Sequence, residues 1–299
     1  MPRSIVLLLL LGVPAAMGPA YRTANFLVEA PTSADAERFA AAAERHRAAF
    51  ARHWLGAEAP PWPEPCWVTV SETPGPPGGR SMFHFAPGGI RYPSIALEGP
   101  PDRLIETALP HEIAHVLLAG EFGRPLPRWA DEGIAILTEP DPIRLQHRLN
   151  LWRVLTTPGR PIPLRQLLTA AHYPDDKLAF YAEGHSLAEF LVDRCGRAVL
   201  LAFLREGLGG GDWDAAVSRH CGLRDVGELE AAWSAWVWEG YRRATAESVA
   251  AAVRGALALW PARLYNAPDT EAASAVHTRE CTPRHGCRHG PPPVGRPPQ

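Results

Sequence analysis

The sequence predicts an α+β protein: a small, mostly antiparallel sheet with one helix over residues 21–100, then a mainly helical region over 101–243. Three observations carry this. Alternating apolar runs lie only between Ala24 and Leu97. From Asp102 onward, apolar residues recur at spacings of three and four instead, the period of a helix. The chain has 299 residues, 46% of them apolar, enough to bury one substantial core. Its formal net charge of −2 argues against a nucleic-acid partner, which would call for a basic surface.

Residues 1–20 read as a signal peptide. Arg3 gives a positive start, Ile5 to Val13 an apolar stretch, and Pro14, Ala15, Ala16, Gly18 and Ala20 the small residues for cleavage, between Ala15 and Tyr21. The apolar run is about half of the ~20 residues that a membrane span needs. No later segment is long and apolar enough, so the chain is expected to be exported, periplasmic or secreted, without a stable transmembrane anchor.

Ala24 to Glu29 reads as a strand. Ser33 is an N-cap candidate for a helix whose stripe is Phe39, Ala43, His46, Phe50 and Trp54, with His46 as a core histidine. Cys66 to Val70 alternates as a strand, the Pro-Gly run at 74–79 is a turn, and strands follow at 81–85 and 90–97. The last of these either pairs within the sheet or presents an edge to which an extended peptide could add.

Asp102 can cap a helix running through Ile105, Leu109, Ile113, Val116 and Leu117 until Gly120 stops it. Pro110 removes one backbone hydrogen bond from that helix, so a kink is expected just before His111. Pro127 opens a helix over 128–139. Others fit 142–155, 178–193, 197–207, 212–220, 226–243 and 245–259. Residues 244–299 form an extension that becomes a largely disordered tail rich in Pro and His. Of the five cysteines, Cys195 and Cys221 at two helix ends are the favoured disulfide pair. Cys66 reads as a buried apolar residue, and Cys281 and Cys287 fall in the tail with no established zinc spacing.

The chemistry centres on His111-Glu112-Ile113-Ala114-His115. Two histidines four apart on a helix project from one face about 5–6 Å apart. Both imidazoles can then reach one zinc ion at ~2.0–2.1 Å. Glu112 points beside the metal, where it can take a proton from a water. A solvated helical face is the competing explanation. It leaves unexplained why Leu109, Ile113 and Leu117 make this helix look buried, since buried His and Glu need partners. Glu132, seventeen residues after His115 on the next helix, completes a His2Glu set. Asp131 is a rival ligand and Glu121 a weaker one. Gly133 would let the second helix pack closely against the first.

The segment Leu109-Pro110-His111-Glu112 through Pro127-Arg128-Trp129-Ala130-Asp131-Glu132-Gly133 resembles the peptidase MA-like, or gluzincin, superfamily of zinc metallopeptidases. In those proteins a Glu-Gly pair on the following helix supplies the third zinc ligand. The resemblance therefore implies a zincin-like fold, one Zn2+ per chain held by His111, His115 and Glu132, and Asp131 as a residue that orients a ligand histidine. Tyr181-Ala182-Glu183-Gly184 is similar to the Tyr-x-x-Gly segment of the aminopeptidase-N branch, which implies that Tyr181 donates a hydrogen bond to the oxyanion. The Gly-x-Met-Glu-Asn motif that grips a free amino terminus in that branch is absent, and the gap from His115 to Glu132 is slightly shorter. An exported zinc endopeptidase acting on peptide or protein substrates is the implied function. The alternative is an exported zinc-binding envelope protein of the same fold without turnover.

Overall fold

The computed structural model describes residues 18–157 and 161–243. Residues 1–17 of the expected signal peptide, the helix expected at 245–259 and the tail cysteines lie outside the described residues.

Five strands form one sheet: β1 (Ala20–Arg22), β2 (Phe26–Glu29), β3 (Cys66–Glu72), β4 (Gly78–Ala86) and β5 (Gly89–Gly99), in the order β1-β2-β3-β5-β4. β1 and β4 pair antiparallel with β2 and β5, but β2–β3 and β3–β5 are parallel. The sheet is thus mixed rather than mostly antiparallel. The cause is the helix α1 (Ser33–Phe50), which returns the chain to the starting end of the sheet between β2 and β3, as a parallel pairing requires. Thr32, not Ser33, caps that helix, accepting from the Asp35 amide. Its last residues continue as a π-helical turn at Ala51–Leu55, ended by Gly56 in the left-handed region at φ 74°.

From Ser94 to Glu98 β5 is paired on both sides and offers no edge, and the outermost strand beside it is β4. One face of the sheet is buried. Phe26 and Val28, then Cys66, Val68 and Val70, then Ile95 and Leu97 alternate inward against Phe39, Ala40 and Ala43 of α1. In the rung Val68–Ile95–Ser81 and the next, Val70–Leu97–Gly79, this inner face extends onto β4.

The helix carrying both histidines is two helices. α2 (Pro101–Glu106) is entered from Pro100, and α3 (Ala108–Phe122) ends at Gly123 rather than Gly120. The break lies at Thr107 (φ −121°, ψ −71°), one turn before the expected place. Pro110 has no N–H to offer the Glu106 carbonyl and its ring crowds that carbonyl, so the helix breaks at the next residue. α3 then passes beneath the sheet, with Leu109, Ile113, Val116 and Leu118 buried.

α4 (Arg128–Ile136), α5 (Asp141–Leu155), α6 (Leu164–Thr169), α7 (Lys177–Cys195), α8 (Arg197–Gly210), α9 (Trp213–Cys221) and α10 (Val226–Arg243) complete the described residues. Of these helices only the six-residue α6 has no counterpart in the sequence reading, and among the strands the three-residue β1 has none. One core cluster runs from Phe26 to Val237. Cys195 and Cys221, at the ends of α7 and α9, are free thiols, and Cys195 adds to the burial that pushes the Cys221 pKa up. Cys66 is buried, as expected, and burial pushes its thiol pKa up.

Gly133 packs against α7, not α3. A Cβ there would lie 2.5 Å from the Gly184 carbonyl oxygen and 3.0 Å from the Ala188 Cβ. A Cβ on Gly184 would in turn lie 3.1 Å from the Trp129 carbonyl oxygen. Because the first obstacle is backbone, no rotamer change relieves it. Gly133→Ala should destabilise the fold by about 2–3 kcal/mol, the upper part of the overpacking range, as a lower midpoint of urea unfolding. An unchanged midpoint would mean that α4 and α7 are not held at this separation.

Candidate metal centre

His111 and His115 face the same way from successive turns of α3, with ring centroids 4.8 Å apart. Glu132, one turn into α4, turns its carboxylate onto them. Its Oε2 lies 3.4 Å from His111 Nε2 and 3.7 Å from His115 Nε2. One ligand atom from each of the three falls within 4.8 Å of the others, a group that could hold a metal ion. His115 and Glu132 are buried and His111 is half-buried.

The rival acids are placed elsewhere. Asp131 Oδ1 accepts from His115 Nδ1 at 2.9 Å, while its other oxygen lies 3.5 Å from the Arg128 guanidinium. Glu121 pairs with Arg205 on the far end of α3. Asp131 therefore occupies the outer nitrogen of a histidine whose inner nitrogen faces Glu132, the arrangement that fixes the tautomer of a metal ligand.

Two partners escaped the sequence reading. Glu139, just beyond α4, accepts from His111 Nδ1 at 2.6 Å. Tyr173, in the loop before α7, donates to Glu132 Oε1, the oxygen turned away from the histidines. Each of the three ligand side chains thus has its own outer partner. A faint sequence signal existed for Glu139, an acid seven residues after Glu132 and so on nearly the same side of a helical continuation. None existed for Tyr173, whose place depends on how its loop folds back.

Electrostatics bind the group together. Burial alone would lower the pKa of His115, but the charges of Asp131 and Glu132 outweigh it and hold the imidazole at about 9. Burial likewise opposes a charged His111, and hydrogen bonds to Glu132 and Glu139 carry it well above the ordinary value. Burial would raise Glu132, yet the neighbouring imidazoles keep it well below the usual carboxylate range. These donors fit a divalent ion such as zinc: two imidazole nitrogens and one carboxylate oxygen converge, and the remaining hydrogen-bonding atoms are committed outward.

Glu112, on the same helix turn, is pushed upward by burial, an effect that the positive charges of His115 and His111 offset in part. The Ser81 hydroxyl of β4 is close enough to draw it down slightly. The Gly79 backbone runs directly over it: a Cβ there would lie 2.7 Å from Glu112 Cγ. Tyr181, in the second turn of α7, stacks on Tyr173 with centroids 5.8 Å apart. Burial raises the pKa of its phenol, and the charges of Glu132 and Glu112 raise it further.

Two outcomes are expected. Replacing Asp131 by Asn or Glu139 by Gln should weaken metal binding about 10- to 100-fold, read by competition with a chelating dye. The pH dependence has a definite sign. His115 is raised from 6.5 to about 9, so its proton stabilises the metal-free protein at low pH, and that contribution is lost as pH rises through 9. A metal ligand has to be deprotonated. The rise in melting temperature produced by saturating zinc should therefore grow between about pH 6 and pH 9, and binding at neutral pH should release protons to the buffer.

No protein-family model matches the chain, and no curated protein shows significant similarity to it.

Proposed function

We propose that the protein is an exported zinc-dependent peptidase of the gluzincin kind, with a zincin-like fold and endopeptidase action on peptide or protein substrates. The observation that carries this is the joint placement of Glu112 beside the His111–His115–Glu132 group and beneath the edge strand β4.

Zinc held by those three side chains would act as a Lewis acid on a carbonyl and lower the pKa of a water toward ~7. Glu112 takes a proton from the attacking water as its oxygen bonds to the carbonyl carbon. Its raised pKa lets it keep that proton until the C–N bond breaks and then give it to the departing amine nitrogen. Tyr181 supplies a phenol hydroxyl to the carbonyl oxygen as charge develops there. Tyr173 holds Glu132 in place and buttresses the Tyr181 ring by stacking. β4 has neighbours on one side only among the described residues. An extended peptide could pair with its open side and so pass Glu112 in a fixed direction.

Glu112→Gln should retain zinc at one equivalent and lose about 10²- to 10⁴-fold in turnover of a peptide library. Full activity in that variant with its zinc in place would overturn the mechanism. Tyr181→Phe should lower kcat by a factor equivalent to about 2.7–4 kcal/mol with little change in KM. One bound zinc with no hydrolysis across the library by the wild-type protein would favour the zinc-binding envelope protein without turnover.

A further inference from the structure

Past the point where β4 covers Glu112, its hairpin with β5 continues beyond the rest of the sheet. β3 pairs with β5 only from Ser94 onward, whereas β4 and β5 stay paired as far as Ala86 and Gly89. Side chains alternate along a strand, so Phe83 and Phe85 lie on the same inner face as Gly79 and Ser81. Their rings meet edge to face with centroids 5.5 Å apart, as a shared face allows. Phe83 and Ile90, the latter paired with Phe85 across the hairpin, are half-buried against the core. Phe85 remains 38% exposed. The cover over Glu112 is thus continued, on the same face of the same strand, by an apolar patch that the core only partly fills.

A strained residue makes that patch apolar. Met82 pairs with Ser94, and the same register continued without interruption would set Arg91 opposite Phe85. Instead Tyr92 and Pro93 together oppose Phe83, a β-bulge, and Tyr92 sits in the left-handed region at φ 52°. Bulky side chains rarely adopt that conformation, and such outliers cluster at functional sites. The shift of one residue pairs Arg91 with His84 on the outer face, 3.8 Å from Glu64, and sets Ile90 opposite Phe85. The Tyr92 amide donates to the same Glu64 carboxylate at 3.4 Å, which holds the bulge. The Tyr92 ring meets His84 on the outer face, with centroids 6.2 Å apart.

We propose that Phe83, Phe85 and Ile90 form a subsite for a large apolar side chain of the substrate, so that the protein selects peptides by an apolar residue near the cleaved bond. The inference rests on the peptidase reading, with an extended peptide on the side of β4 that has no neighbour among the described residues. Such a peptide keeps the strand's period of two. Counted from its residue beside Ser81, the second and fourth along lie beside Phe83 and Phe85. Preference for Phe, Leu, Ile or Trp should therefore recur at alternate positions, on one side of the cleaved bond only. The patch begins about 7 Å along the strand from Ser81, clear of the bond being broken. The turn after Ala86 ends it, so positions further out are not selected.

Cleavage of a peptide library by the zinc-loaded, full-length protein tests it, with each cleavage site sequenced. Two peptides that differ only in Phe against Ser at the selected position then give a ratio of kcat/KM, expected to be about tenfold in wild type. Phe85→Ala should bring that ratio close to one. Phe85→Glu should take it below one and make Lys the preferred residue. Phe85 is the most exposed of the three, so both variants are expected to fold. The same ratios in Kd, read by fluorescence anisotropy on Glu112→Gln, report binding apart from turnover. A library cleaved without apolar preference, or a ratio unaltered in both Phe85 variants, would overturn the subsite and leave the peptidase reading standing. A library bound with this preference but never cleaved would sink the peptidase reading and keep the subsite as a peptide-binding surface. Neither binding nor cleavage would end both.

Discussion

Two imidazoles buried one turn apart on α3 set the terms for much of the helical half. Neither can be left dry, and their inner and outer nitrogens point in different directions, so partners have to arrive from more than one element. α4 brings Asp131 and Glu132, its continuation brings Glu139, and the loop before α7 brings Tyr173. The close contact of Gly133 with Gly184 holds α4 against α7 while this is done. A divalent ion and two protons carry the same charge. The metal-free site can therefore keep its balance by protonating both histidines, and the ion can replace those protons without rearranging the acids.

How much of this was legible depended on whether a relation was local. The spacing of His111 and His115 fixes their common face, and the apolar residues between them announce burial. The choice between Asp131 and Glu132 is different. Adjacent helical residues point about 100° apart, and only the placement of α4 against α3 shows which one faces inward. Spacing alone left that open, and the resemblance to known peptidases was needed to choose. Tyr173 was invisible because a loop residue follows no period. The break at Thr107 was misplaced for a related reason: proline perturbs the turn before it, and the sequence marks the cause rather than the site of relief.

The sheet repeats the lesson at larger scale. β2 to β5 were readable from alternation, whereas the three exposed residues of β1 were not, and direction is not a property of a strand alone. α1 connects β2 to β3 over the buried face, which makes them parallel neighbours. β5 then inserts between β3 and β4, leaving the hairpin partner β4 outermost. The strand nearest in sequence to α3 is therefore interior, and the one before it lies over Glu112.

That close passage of β4 divides the site between two parts of the molecule. The residues that could grip an ion belong to helices, whereas the surroundings of Glu112 belong to a strand whose backbone at Gly79 touches its side chain. A helical fragment transplanted with its five-residue motif would bring the grip without that ceiling, and its glutamate would swing into solvent. The motif carries two of the three candidate ligands with it and leaves the cover over its glutamate behind with the sheet.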